Sequence, residues 1–131
     1  MKKDKITQEL ENYFRGKREI TLAFLFGSQA KKKAGKLSDF DIAIWTKNEL
    51  PIEKINRIWD DLQKIVQNDV DLVLLNKARP TVAWAALRGK RLLIRDFSLY
   101  LKLVLQISRE AEDMQDFAIS YWKLKKRYQN L

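Results

Sequence analysis

Apolar and polar residues repeat along the chain with two different periods, which divide it into helices and strands. Residues 6–15 (ITQELENYFR) and 51–66 (PIEKINRIWDDLQKIV) repeat apolar side chains every three or four positions, which predicts two amphipathic helices. Three shorter segments rich in apolar side chains, 19–26, 39–45 and 70–75, have the length of strands. The first of these (EITLAFLF) is almost continuously apolar, which predicts a strand buried on both faces.

Residues at the segment ends predict where the first two helices begin and end. Thr7 has the side chain of an N-cap for the first helix, and Gly16 follows its last residue. Pro51 is predicted to occupy the first position of the second helix. The apolar stripe of that helix is predicted to consist of Ile52, Ile55, Trp59, Leu62 and Val66.

The last third of the chain is predicted to be mainly helical. A short helix over 81–88 follows Pro80, a turn falls at Gly89, and a short strand covers 91–95. Residues 97–128 contain neither Gly nor Pro and place apolar side chains in steps of three and four. This pattern predicts one long helix, or two helices with a small break.

Three aspartates interrupt the apolar strands. The alternation in segment 39–45 (DFDIAIW) places Asp39 and Asp41 on the same face of a strand, and Asp71 lies in segment 70–75 (VDLVLL). The opposite faces of these two strands carry Phe40, Ile42, Ile44, Val70, Leu72 and Leu74. Because burial of a carboxylate is costly, the three aspartates need an explanation.

Composition restricts the chemistry that these carboxylates can serve. The chain has no Cys and no His, which excludes thiol nucleophiles, disulfides, zinc sites built on nitrogen or sulfur, and imidazole bases. Any metal must therefore be held by oxygen. Asp39, Asp41 and Asp71 form a sensible ligand set for Mg²⁺, whose positive charge would allow all three carboxylates to stay ionised.

The segment between the first two strands offers a place for phosphate. Gly27 allows a sharp turn at the end of a strand, and the Ser28 hydroxyl can donate to phosphate oxygens. Three lysines, 31–33, follow within a few residues. Each feature alone has an ordinary explanation, as a turn, a solvent-exposed strand face or a basic surface. Their order along one chain favours a nucleotide site.

The motif from Gly27 to Trp45 (GSQAKKKAGKLSDFDIAIW), followed by VDLVLL, resembles the minimal nucleotidyltransferases of the polymerase-beta-like superfamily. Their signature is Gly-Ser, a spacer, Ser-Asp-x-Asp and a third acidic residue in a later strand. The resemblance is specific across residues 20–75 and fades by about residue 95. Where the family commonly has Arg-Gly after Gly-Ser-x-Ala, this chain has Lys31-Lys32, which keeps the cation but loses the bidentate guanidinium.

The resemblance implies an α+β nucleotidyltransferase fold, in which a small mixed β-sheet is flanked by helices. One domain, 1–131, would comprise a catalytic core over about 19–95 and a long C-terminal helical segment over about 97–128. The implied roles divide the site residues into two sets. Asp39, Asp41 and Asp71 would be catalytic and hold two Mg²⁺ ions, and Gly27, Ser28, Lys31 and Ser38 would bind ATP or another NTP.

Many small members of this family resemble the antitoxin of a two-gene pair, which nucleotidylates a tyrosine of a helical HEPN toxin. The resemblance therefore implies transfer of NMP, in the first instance AMP from ATP, to a hydroxyl of such a partner. Two alternatives stay open: an antitoxin that neutralises its partner by occlusion without catalysis, and a small-molecule nucleotidyltransferase of the aminoglycoside-modifying kind. The C-terminal helix, with Tyr100, Tyr121, Trp122 and Tyr128, is a candidate surface for a second copy or a partner.

The net charge of +9 is compatible with an acidic protein, a nucleotide or nucleic acid as ligand. Nucleic acid is the least expected of these because no stacking motif or recognition helix is present. No apolar run approaches the roughly 20 residues that a membrane span needs, and the N-terminus lacks the apolar core of a signal peptide. We expect a cytoplasmic protein without a membrane segment.

Overall fold

The computed structural model describes residues 4–27 and 40–111 of the chain. Helices and strands in these two segments follow the order α1 (Lys5–Arg15), β1 (Ile20–Phe26), β2 (Phe40–Thr46), α2 (Ile52–Val66), β3 (Val70–Leu74), α3 (Pro80–Leu87), β4 (Lys90–Ile94) and α4 (Phe97–Ala111). The predicted α+β class is confirmed, and the described ends agree with the predicted ones to within one residue. The predicted last helix is confirmed as far as Ala111, and residues 112–128 lie outside the described residues.

The four strands form one mixed sheet in the order β3-β2-β1-β4. β1 pairs antiparallel with β2 and with β4, whereas β2 and β3 pair in parallel. The C-terminal end of β1 therefore lies beside the N-terminal ends of the other three strands. We call this the acidic end of the sheet, because Asp41 and Asp71 lie at the start of β2 and of β3.

Helices cover both faces of the sheet, and each face has its own apolar core. α1 and α2 pack on one face, where the buried side chains include Leu10, Phe14, Ile42, Ile44, Ile58 and Leu62. α3 and α4 pack on the other, where they include Phe24, Ala43, Trp84, Leu87, Leu103 and Ile107. β1 is buried on both faces as predicted, since Leu22, Ala23 and Phe24 are each 0% exposed.

The first helix begins differently from the prediction. Asp4, not Thr7, is the N-cap of α1, and its Oδ1 accepts a hydrogen bond from the Thr7 N–H at 2.7 Å. The Thr7 hydroxyl donates to Asp4 Oδ2 at 3.1 Å. A carboxylate at a helix N-terminus also interacts favourably with the helix dipole, which explains why Asp4 takes this role. Gly16 ends the helix as predicted.

The buried stripe of α2 also differs from the prediction. Ile52 and Trp59 are 64% and 42% exposed, and Ile58 joins Leu62 and Val66 in the core instead. Trp59 instead uses its indole N–H, which donates to the Val70 carbonyl oxygen at 2.6 Å. Pro51 is the N-cap and not the first helical residue, a shift of one position.

Candidate functional site

Two of the three predicted carboxylates lie side by side at the acidic end. Asp41 on β2 and Asp71 on β3 are direct partners in the parallel ladder. Paired residues point to the same face of a sheet, and neighbouring strands lie about 4.8 Å apart. Asp41 is half-buried and Asp71 is exposed.

Gly27 lies directly against one of these carboxylates. It follows Phe26, the last residue of β1, whose ladder partner is Asp41. Its φ is +76°, in the left-handed region that side chains disfavour. A Cβ at this position would overlap Asp41 Oδ2 and lie 3.2 Å from Asp41 Cγ. Glycine is therefore required here both by the backbone turn and by the close approach of the carboxylate.

The remaining predicted site residues are Ser28, Lys31, Ser38 and Asp39, and all four lie outside the described residues. Within 4–27 and 40–111, no cluster of three or more potential metal-binding side chains is found. The described part of the site consists of Gly27, Asp41 and Asp71. In the sequence, Asp39 immediately precedes Phe40, the first residue of β2.

The donor chemistry of the described pair fits a hard divalent cation. Carboxylate oxygens are the preferred ligands of Mg²⁺, which protein sites usually hold through one or two carboxylates, substrate phosphates and water. Asp41 and Asp71 provide two such groups on one face, and the missing side chain of Gly27 lets the Asp41 carboxylate lie against the turn. The residues present therefore fit magnesium.

Basic side chains stand at the same end of the sheet, at a place that sequence reasoning missed. The turn between α3 and β4 packs tightly on the end of β1, because a Cβ on Gly89 would lie 2.5 Å from the Leu25 carbonyl oxygen. Arg88, Lys90 and Arg91 flank this turn. In the sequence they count only toward the net charge of +9. The pairing of β4 with β1 brings these cations to the acidic end, and this pairing is not visible in the sequence.

Two of these cations rest on aromatic rings of the α3/α4 layer. The Arg88 guanidinium carbon lies 5.2 Å from the ring centroid of Trp84, and that of Arg91 lies 6.0 Å from the ring of Tyr100. Cation–π contact at such distances restrains an arginine without neutralising it. The acidic end thus carries carboxylates for a cation and, across β1, positive charge for an anion.

This arrangement defines the class of protein, because paired carboxylates beside a glycine turn on a small mixed sheet are expected of a nucleotidyltransferase. The model of the family described as "Polymerase beta, Nucleotidyltransferase" matches residues 8–98. The chain belongs to this family. Comparison with curated protein sequences found no significant match.

Solved structures similar to this chain include chains of three toxin–antitoxin complexes. A complex "with AMP-PNP" contains a chain 19% identical to this one, with a TM-score of 0.65 and coverage of 97% of this chain and 94% of that one. The MntA-HepT complex gives 20% identity, a TM-score of 0.57 and coverage of 94% and 93%. The complex of a tri-AMPylated Shewanella oneidensis HEPN toxin with its MNT antitoxin contains a chain 20% identical to this one. The TM-score is 0.58, and the match covers 95% of this chain and 93% of that one. These likenesses establish the fold.

Proposed function

We propose that this chain transfers the nucleoside monophosphate of an NTP, AMP from ATP in the first instance, to a hydroxyl of a HEPN-type partner and thereby acts as its antitoxin. The observation that carries the proposal is the in-register pair of Asp41 and Asp71 beside Gly27. Family membership supports the reaction type. Likeness to a complex with AMP-PNP and to one with an AMPylated HEPN toxin supports the nucleotide and the acceptor.

In the proposed reaction the acceptor oxygen forms a bond to the α-phosphorus, the bond from that phosphorus to the β-bridging oxygen breaks, and pyrophosphate leaves. Asp39, Asp41 and Asp71 would hold the two magnesium ions. When bound, magnesium would neutralise phosphate charge and lower the pKa of the attacking hydroxyl. Asp71 accepts the proton of that hydroxyl, because it is exposed on the edge strand and the chain contains no His.

The phosphate groups are bound by the turn that follows β1. Gly27 places no side chain of its own between the backbone and the triphosphate. Ser28 and Ser38 donate hydroxyl hydrogen bonds, and Lys31 supplies positive charge. These roles follow from the family resemblance.

An exposed stripe on α4 supports the protein partner. Phe97, Leu101 and Leu105, spaced four residues apart, are 58%, 46% and 62% exposed. Lys102 and Arg109 are exposed on the same helix. Apolar side chains at this spacing match an amphipathic helix of a partner, and the cations favour an acidic one. A second copy would bring its own net charge of +9 to the contact, so we propose a hetero-complex in preference to a homodimer.

The proposed pair acts in the cytoplasm, where ATP is available. Among the described residues, none of the helices has the length and apolar character needed to cross a membrane. A second candidate function, neutralisation by occlusion without catalysis, is supported by the same α4 stripe, because binding alone could block a partner. Transfer to an aminoglycoside-type small molecule has no such observation in its favour.

The test is incubation of the purified chain and a HEPN-type partner with Mg²⁺ and ATP labelled at the α-phosphate. We expect label on a partner tyrosine, located by mass spectrometry. Asp41→Ala and Asp71→Ala should each reduce labelling about 10³-fold, the effect of losing several kcal/mol of charge stabilisation. The matched control is Asp60→Asn, which removes the charge of an exposed carboxylate on α2 and should leave labelling of the partner unchanged. An unlabelled but inhibited partner would instead support occlusion.

A further inference from the structure

The backbone of Val70, which immediately precedes Asp71, is held by two side chains of α2. The Trp59 indole Nε1–H donates to the Val70 carbonyl oxygen at 2.6 Å. The Val70 N–H donates to Gln63 Oε1 at 3.2 Å. One residue of β3 is thus bonded through both of its backbone polar groups to the helix that lies over it.

These bonds occupy the side of β3 that has no neighbouring strand. In the sheet formed by the described residues, β3 is an edge strand whose neighbour is β2. The parallel ladder uses the adjacent residue, since the Phe40 N–H donates to the Asp69 carbonyl at 3.0 Å. Backbone N–H and C=O groups of successive strand residues point to opposite sides, so those of Val70 point away from β2, toward the open edge of the sheet. Trp59 and Gln63 satisfy them where a further strand would otherwise be needed.

Packing alone does not explain the choice of Trp59. Its side chain is 42% exposed, although a tryptophan gains most from burial. What it provides is an indole N–H that reaches the sheet edge. Gln63 is four residues further along α2, so both side chains lie on one face of the helix and meet the same residue.

We propose that Trp59 and Gln63 are positioning residues for Asp71, which keep its carboxylate in register with that of Asp41. Within the described residues, no hydrogen bond to the Asp71 side chain is found, so its place is set by the β3 backbone. β3 has only five residues, and loss of its edge bonds would let its first residues separate from β2. A displacement of about 1 Å at a catalytic group can reduce the rate about 10²-fold.

This proposal rests on the proposed function, and its test therefore includes a measurement that needs neither partner nor turnover. Mn²⁺ binding to the isolated chain is followed by electron paramagnetic resonance. Trp59→Phe keeps the ring and removes the N–H, and Gln63→Met keeps the length and removes the amide oxygen. Both should weaken Mn²⁺ binding about 10-fold, as expected for residues that orient a metal ligand.

Two matched variants separate positioning from general stability. Gln63→Glu keeps an acceptor for the Val70 N–H and should restore Mn²⁺ affinity to within about twofold of the wild type. Ile52→Ala removes an exposed apolar side chain of the same helix and should leave Mn²⁺ affinity unchanged. In the transfer assay, Trp59→Phe should lower kcat about 10-fold with a smaller change in the KM for ATP, because the proposed direct contacts to phosphate come from the turn after β1 and Asp71 is assigned to the attacking hydroxyl.

The outcomes are distinguishable. Variants that lower only the urea midpoint, with wild-type Mn²⁺ affinity and kcat, would overturn the positioning role and leave the proposed function intact. A wild-type chain that binds no Mn²⁺ and labels no partner would overturn the proposed function, and the positioning role with it.

Discussion

Replacement of Gly27 by alanine tests the geometry of the site most directly. The backbone φ of +76° costs a non-glycine residue about 1–2 kcal/mol. The added Cβ would also overlap Asp41 Oδ2, and it would lie 3.2 Å from Cγ and 3.5 Å from Cβ of that residue. The Asp41 carboxylate must therefore move. We expect Gly27→Ala to lose about 2–3 kcal/mol of unfolding free energy, from backbone strain and overpacking together.

The effect on transfer should be larger than the effect on stability. Moving the Asp41 carboxylate, which is proposed to hold magnesium, by about 1 Å corresponds to about a 10²-fold loss of rate. Gly16→Ala is the control, because Gly16 has a φ of −84° and its added Cβ would lie 3.6 Å from the nearest atom, the Tyr13 carbonyl oxygen. It should change stability by no more than about 0.5 kcal/mol and leave transfer unchanged.

Unfolding in urea, followed by tryptophan fluorescence, gives the stability, and labelling of the partner gives the rate. In an Asp41→Ala background the collision is absent, so Gly27→Ala should then cost only the backbone term, about 1–2 kcal/mol. Wild-type transfer by Gly27→Ala would refute the contact between Gly27 and the Asp41 carboxylate as a feature of the working site. An equal stability cost in both backgrounds would refute the steric contribution.

Three further predictions concern stability and binding. Arg95 donates to four backbone carbonyls between the end of α1 and the start of β1, at 3.1 to 3.3 Å. Arg95→Lys should therefore lower the unfolding free energy by about 2 kcal/mol in urea titration. The control is Arg57→Lys on α2, which should leave the unfolding free energy unchanged. Burial, together with a 2.8 Å hydrogen bond to Asp61, raises the pKa of Tyr13 well above its ordinary value of 10. The folded state therefore holds the Tyr13 proton more tightly than the unfolded chain does. The contribution of Tyr13 to the unfolding free energy is complete below about pH 10 and decreases above it. Above about pH 10, the urea midpoint should fall less steeply with pH in Tyr13→Phe than in the wild type. Leu105→Ser on α4 should weaken partner binding about 10-fold in a calorimetric titration, with an unchanged urea midpoint because the side chain is 62% exposed.

The sequence pattern predicted the elements but not their neighbours. The two-residue period of 39–45 assigned Asp41 to one face, and the observed ladder agrees. No local pattern states that β2 pairs in parallel with β3, or that Asp41 aligns with Asp71 and not with a residue two positions away. That register depends on packing of both faces at once, which is tertiary information.

Errors occurred where a side chain does something other than pack. Trp59 was predicted as core because it is apolar, yet its indole N–H bonds to the edge of β3. Asp4 was overlooked because the apolar repeat starts at Ile6, although its carboxylate caps α1. Arg88 and its basic neighbours were counted only as charge, and the β1–β4 pairing brings them to the acidic end. Each case depends on a hydrogen bond or a pairing that hydropathy does not record.

The position of α4 relative to the carboxylates allows catalysis and occlusion to be separated. Asp41 points to the same face of the sheet as Ala43, which packs in the core formed with α3 and α4. A partner seated on the exposed α4 stripe would therefore approach from the face that carries the carboxylates. Because the stripe and the carboxylates are different residues, binding and transfer should respond to different substitutions.

Asp41→Ala should bind the partner with wild-type affinity and fail to label it, whereas Leu105→Ser should lose binding and labelling together. The partner's own activity then identifies the mechanism. If it stays inhibited by Asp41→Ala, occlusion is sufficient. If it is released although the complex forms, the covalent transfer is what neutralises it. Full labelling by Leu105→Ser at low concentrations of both proteins would show that the acceptor reaches the carboxylates without α4.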